Sequence, residues 1–250
     1  MKNLFNIALT LFAAIALGTS CGVNEETEPV YQSFGTLIET PAGSKAPYYI
    51  IFDDGKTAYV TNTNQWAPTF GTNVSELRYL ISYEIANEQA IGYDYEVVVL
   101  SVKECMPTQY YLPSFADLSI DPPVYNAGAS VEACYLSNAN DYMTLMVMYN
   151  VDRISMTSAP KLVLVQNTPE NSPYKDLYED DNYFYLELYH NDEGYAGNTQ
   201  YSTNLSCKIT IPGGLKQMMS SYSGVKIISL DHNHMQPTVK KFNFTTEEQQ

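Results

Sequence analysis

The chain has 250 residues, with 13 Lys and Arg against 28 Asp and Glu, a formal net charge of −15, and 22 tyrosines. Binding to nucleic acid or to anionic lipid headgroups through the chain's own surface needs a basic stripe, which this balance excludes. Contact with a membrane must then come from an anchor.

Met1-Lys2-Asn3 is a weakly positive start, followed by an apolar run from Leu4 to Leu17 and then Gly18-Thr19-Ser20-Cys21. This reads as a signal peptide over residues 1–20. The run is shorter than the about 20 residues needed to cross a hydrocarbon core, and no second run of that kind follows, so no transmembrane helix is expected in the mature chain. A cysteine after small residues resembles a lipobox, which makes Cys21 the predicted lipid anchor. Leu17 lies one position further from the cysteine than in the usual pattern, and the alternative is an ordinary secretory cleavage nearby with Cys21 incidental. Residues 21–32 begin Cys21-Gly22-Val23-Asn24-Glu25-Glu26-Thr27-Glu28-Pro29, polar and without apolar period, and read as an acidic tether.

From residue 33 to 105, short runs rich in Tyr, Ile, Val and Thr predict five strands: Ser33–Glu39, Tyr48–Phe52, Thr57–Thr61, Leu77–Ala86 and Tyr93–Lys103. Asp53-Asp54-Gly55 supplies the positive-φ position of a tight hairpin, so the second and third strands should pair antiparallel. Five strands with a longer connection at Asn62–Glu76 match an OB-type barrel. Residues 106–128 carry Pro107, Pro113, Pro122 and Pro123, which cannot lie in a sheet interior, and read as a Pro-rich linker. Residues 129–250 then carry a second set: Ala133–Ser137, Tyr142–Asn150, Lys161–Gln166, Tyr183–His190, Leu205–Ile211, Val225–Leu230 and Thr238–Phe244. These predict a β-sandwich. In Tyr183–His190 the face of Phe184, Leu186 and Leu188 is expected in the core, opposite Tyr185, Glu187 and Tyr189. One short helical turn is expected near Gly214–Ser221, and the polar end Thr245–Gln250 should fray. The fold class is all-β, an N-terminal OB-like five-stranded barrel followed by a C-terminal β-sandwich.

The lipoprotein-type start, Phe52-Asp53-Asp54-Gly55-Lys56 after a β run, Gly92-Tyr93-Asp94-Tyr95-Glu96-Val97, Tyr185-Leu186-Glu187-Leu188-Tyr189-His190-Asn191 and the Val225–Leu230 and Thr238–Phe244 pair together resemble the NigD-like lipoproteins of Bacteroidetes. The resemblance spans nearly the whole mature chain and implies the same order of OB domain and sandwich. It implies no enzymatic activity. Its link to bacteriocin gene clusters implies an immunity or accessory role. The acidic tether is similar to the stretch that favours export to the outer face of the outer membrane, so an outer-membrane location, surface-exposed or periplasm-facing, is expected. The chain departs from the usual pattern in an insert-like region at Asp152–Asn182 and in Cys105 and Cys134.

With Cys21 acylated, Cys105, Cys134 and Cys207 remain, allowing one disulfide at most. A Cys105–Cys134 link and buried free thiols both fit, and Cys207 alternates with Leu205, Ile209 and Ile211 as a core residue. His232 and His234 flank Asn233, the spacing of a chelating pair, and Asp231 and His190 could complete a metal site if their strands are neighbours. A polar turn with nothing bound explains the same residues. Asp53-Asp54 and Asp180-Asp181 are adjacent and point oppositely, so neither pair can flank a glycosidic bond. No G-x-S-x-G, H-E-x-x-H or phosphate-cradling loop occurs, so neither enzyme nor cofactor is expected. The remaining reading is a non-catalytic binding or accessory module. Tyr93, Tyr95, Tyr185 and Tyr189, with neighbours such as Tyr48, Tyr49, Tyr110, Tyr111 and Tyr183, offer stacking surface for a glycan or a protein partner, or pack within the sheets.

Overall fold

The computed structural model describes residues 29–40, 48–62, 78–88, 90–107, 110–111, 125–137, 139, 141–152, 161–209 and 213–244. The signal peptide, Cys21 and most of the tether lie outside the described residues, as do most of the Asn62–Glu76 connection, most of the expected linker and Thr245–Gln250. The chain passes from one compact unit to a second at Cys105–Met106, and the short span Ser137–Asn140 is grouped with the first.

The first unit is a closed five-stranded barrel. Its strands are β1 (Tyr31–Glu39), β2 (Tyr48–Phe52), β3 (Thr57–Val60), β4 (Arg78–Asn87) and β5 (Tyr95–Glu104), in the order β1-β2-β3-β5-β4, with β4 returning to β1. The Asp53-Asp54-Gly55 turn joins β2 to β3 as an antiparallel hairpin, with Gly55 at φ 86. Strand β1 closes the barrel because Gly35 pairs with both Phe52 of β2 and Tyr79 of β4. A Cβ there would lie 2.9 Å from Ile50 Cγ2 and 3.2 Å from the Ile51 carbonyl oxygen, so the close approach at this position favours glycine. Alternation along the strands sends Leu37, Ile50, Phe52, Ala58, Val60, Ile81, Val97 and Val99 inward, each at most 2 % exposed. Arg78 is also buried; its guanidinium donates to the Asp53 carboxylate and, at 3.1 Å, to the Thr36 hydroxyl.

The second unit is the sandwich. One sheet has the order β14-β13-β11-β10-β7, built from β7 (Tyr110–Tyr111), β10 (Lys161–Val165), β11 (Tyr183–Asn191), β13 (Gly224–Leu230) and β14 (Pro237–Asn243). The other has the order β6-β12-β9-β8, from β6 (Met106–Pro107), β8 (Ala129–Ser137), β9 (Tyr142–Val151) and β12 (Thr199–Lys208). Phe184, Leu186, Leu188, Val225 and Ile227 of the first sheet meet Val131, Met143, Leu145, Val147 and Leu205 of the second in one core. Helix α1 (Gly214–Ser221) adds Leu215 and Met218 to it, its first turn fixed by Asp141, whose carboxylate accepts the Leu215 N–H at 2.9 Å.

Two expectations need correction. Residues 106–128 are not linker throughout, because Met106–Pro107 and Tyr110–Tyr111 add edge strands β6 and β7, each pairing parallel with one neighbour. Pro107 is tolerated because an edge strand needs amide donors on one side only. Strand β12 starts at Thr199, six residues before the apolar run at Leu205, since pairing with β9 along its whole length recruits the polar stretch Thr199–Asn204. The three thiols of Cys105, Cys134 and Cys207 are all free. Burial pushes the Cys105 and Cys134 thiols up to about 12, and it raises Cys207 as well.

Arg78→Ala strands the Asp53 carboxylate in a site with little access to water, and the expected cost is about 3–5 kcal/mol. A urea titration of the variant reads this as a lower midpoint; an unchanged midpoint contradicts it.

Candidate functional site

The expected tyrosines lie on separate surfaces of the two units. On the barrel, Tyr49 of β2 and Tyr59 of β3 are directly opposed across the hairpin, and Ile38 of β1 continues the row. Tyr93, from the β4–β5 connection, leans over both, with ring centroids 5.6 Å from Tyr49 and 5.8 Å from Tyr59. Gly92, at φ 84, turns the connection toward the barrel. Asp94 then clasps it: its carboxylate accepts the Thr57 N–H at 2.7 Å and the Thr57 hydroxyl at 2.9 Å, while its own N–H donates to the Thr57 carbonyl at 3.0 Å. These bonds, led by the Thr57 N–H, hold the Asp94 carboxyl below the usual carboxylate range. All three tyrosines are half-buried, and Ile91 beside them is fully exposed. Tyr95 is placed differently, with the Lys56 ammonium 5.1 Å above its ring and bonded to its hydroxyl.

On the sandwich, Tyr185 stacks on Tyr178 at 4.6 Å, and its hydroxyl accepts the N–H groups of Glu179 and Asp180 and, at 3.0 Å, the Lys226 ammonium. Tyr189 does not serve as a surface platform. It is 4 % exposed, its ring is stacked on Tyr174, and its hydroxyl donates to Glu187.

Glu187 is the functional-looking residue that sequence pattern alone does not single out. It lies on the face of β11 expected to be solvated, yet it is fully buried. One carboxylate oxygen accepts from the Ser172 and Tyr178 hydroxyls, the latter at 2.6 Å, and the other accepts from the Tyr189 hydroxyl and from Asn167 Nδ2 at 3.2 Å. Four donors saturate the carboxylate, so the arrangement is a fastening and leaves no lone pair for a substrate. It straps the segment 166–178, part of the insert-like region, over Val163, Val165 and Tyr189. Burial, together with this carboxylate, raises the Tyr178 and Tyr189 phenols.

The histidines are engaged one by one. His190, fully buried, donates from Nδ1 to the Gly128 carbonyl at 2.9 Å and has Tyr149 edge-on to its ring; burial lowers its proton affinity. His232 Nδ1 sits 2.7 Å from the Ser130 hydroxyl, which itself donates to Asp231. His234 Nδ1 lies 2.8 Å from Asp231, and the Asp231 carboxylate accepts the N–H groups of Asn233 and His234 as the cap of a tight turn. Strands β11 and β13 are neighbours, as a shared site requires. Among the described residues, however, no group of three or more His, Cys, Asp or Glu side chains is placed to hold a metal ion. Likewise, among the described residues no helix is long and apolar enough to cross a membrane.

An all-β chain in which a closed barrel precedes a two-sheet sandwich defines the class. Solved structures share it: a protein of unknown function from Bacteroides vulgatus (TM-score 0.62, 19 % identity, 88 % of this chain and 92 % of that one), a NigD-like immunity protein from Bacteroides caccae (0.52, 15 %, 86 % and 97 %) and a candidate lipoprotein from Bacteroides fragilis (0.53, 12 %, 88 % and 100 %). The chain therefore has the fold of the NigD-like proteins, as the sequence resemblance implied. No family model and no curated protein matches it.

Glu187→Ala removes the common acceptor of four donors, three of them buried, and should release the 166–178 segment. Exposed Lys175 lies within it, so limited trypsin digestion is expected to cut there at least about tenfold faster than in the parent protein. Equal cleavage rates would rule out the fastening role.

Proposed function

We propose that the chain is a lipid-anchored, extracytoplasmic, non-catalytic binding protein of the outer membrane whose barrel face recognises a glycan or a protein partner. The observation that carries this reading is the Tyr49–Tyr59–Tyr93 cluster. In OB-type barrels, the face of strands 2 and 3 and the connections 1–2 and 4–5 is where oligosaccharides and oligonucleotides bind. Tyr49 and Tyr59 come from those strands and Tyr93 from the 4–5 connection. The net charge of −15 disfavours an oligonucleotide, which leaves uncharged or protein ligands that use ring faces and phenol hydroxyls. Supporting the anchored location are the Cys21 pattern and the fold shared with a candidate lipoprotein.

The test is a glycan and peptide array probed with the purified full chain. Retention should fall about tenfold in Tyr49→Ala combined with Tyr59→Ala. Asp94→Ala should weaken it less, because Asp94 only positions Tyr93. No retention on any feature, or retention indifferent to Tyr49 and Tyr59, would overturn the barrel reading.

A second reading is an immunity-type role against a secreted antibacterial toxin, favoured by the fold shared with the NigD-like immunity protein. It predicts that expression of this chain protects a sensitive strain, and full sensitivity despite correct export counts against it.

A further inference from the structure

The outer face of the β14-β13-β11 sheet breaks a rule of strand pairing. Lys226 of β13 and Lys241 of β14 are direct partners in an antiparallel register, and like charges placed opposite one another destabilise a sheet. The chain is strongly acidic, so a carboxylate would be easy to supply, and other lysines of the same unit have one: Lys161 with Glu193 at 2.8 Å and Lys240 with Glu132 at 3.6 Å. Among the described residues, neither Lys226 nor Lys241 forms such an ion pair.

Both ammonium groups instead converge on the Tyr183 ring, Lys226 at 5.0 Å from its centroid and Lys241 at 4.2 Å. Gly224 makes this possible. It is the register partner of Tyr183, and a Cβ on it would lie 2.9 Å from Tyr183 Cε1 and collide with the Phe242 carbonyl. The ring thus lies across the bare glycine to reach Asn243, whose side-chain oxygen accepts the phenol proton at 3.0 Å. Lys226 also stands 5.3 Å from the Tyr185 ring, which continues the strip to Tyr178. The result is an aromatic strip carrying two cations that lack carboxylate partners. Glu179 and Asp180 act on Lys226 through space from the loop bound to the Tyr185 hydroxyl, while Lys241 is exposed.

We infer that this strip binds a saccharide bearing a carboxylate or sulfate group, the anion held between Lys226 and Lys241 and the sugar ring resting on Tyr183 and Tyr185. The overall negative charge does not forbid it, because charges further away than about 8–10 Å are largely screened at physiological salt and the local pair dominates. The inference is independent of the barrel reading, since the two surfaces share no residue.

Isothermal titration of the purified full chain at physiological salt, with tetragalacturonate, a chondroitin sulfate tetrasaccharide and cellotetraose as probes, tests it. Binding of tetragalacturonate shows that a carboxylate suffices, and binding of the chondroitin probe alone shows that sulfate is required; either supports the inference, provided cellotetraose binds at least about tenfold more weakly. Lys226→Gln with Lys241→Gln should lose about tenfold or more, Lys241→Arg should retain binding because it keeps the charge, and Lys240→Gln should match the parent. No binding of either anionic probe, equal binding of cellotetraose, or binding unaffected by loss of both lysines would overturn it.

Discussion

The sandwich depends on a carboxylate placed where strand alternation puts solvent. Glu187 belongs to the outward row of β11, and a charge there would normally reach water. Here the segment 166–178 folds back over it and supplies two hydroxyls and an amide, with the third hydroxyl coming from Tyr189 two residues along the strand. A buried carboxylate is costly unless fully hydrogen-bonded, so its burial and the docking of the segment are one event. The apolar outer positions Val163 and Val165 are covered as a result. The sheet gains a second packed layer over β10 and part of β11, and the strip of Tyr183, Tyr185 and the two lysines begins where that layer ends.

The barrel solves a related problem in another way. Its interior is an ordinary alternating core, and a buried ion pair, Asp53 with Arg78, joins the β2–β3 turn to β4. Outside, the Asp94 clasp on Thr57 fastens a connection to a strand edge and thereby presents Tyr93. In both units a short carboxylate network positions tyrosines that the backbone alone would leave free to choose among rotamers.

Much of this architecture is legible in the sequence because the strands follow the period-2 rule. Tyr48–Phe52 and the Asp53-Asp54-Gly55 turn are found where alternation and turn chemistry put them, and the Gly214–Ser221 helix coincides with its expected span. Failures occur where tertiary pairing overrides composition. Thr199–Asn204 is polar but is held by β9, and the proline-bearing Met106–Pro107 is held by β12. Glu187 shows the limit most clearly. A lone acid among tyrosines, Tyr185-Leu186-Glu187-Leu188-Tyr189, looks like a wet face, and only the fold-back of a segment up to twenty residues earlier in the chain inverts that reading. The signal available was the insert-like region itself, since extra chain beside a strand must cover something. The Lys226–Lys241 opposition was not legible at all, because it needs the register of two strands.

The three free thiols have a consequence for biogenesis. Cys105 and Cys207 are buried and Cys134 is half-buried against the sandwich core; burial favours the protonated form of each, and none has a disulfide partner. Thiolate is the species that attacks oxidants and mixed disulfides, so once folded these sulfurs are inert even where oxidation is the rule. Among the described residues there is then no disulfide to form or reshuffle. The hazard is confined to the interval before the strands close, when speed of collapse alone protects the chain from cross-linking to its neighbours.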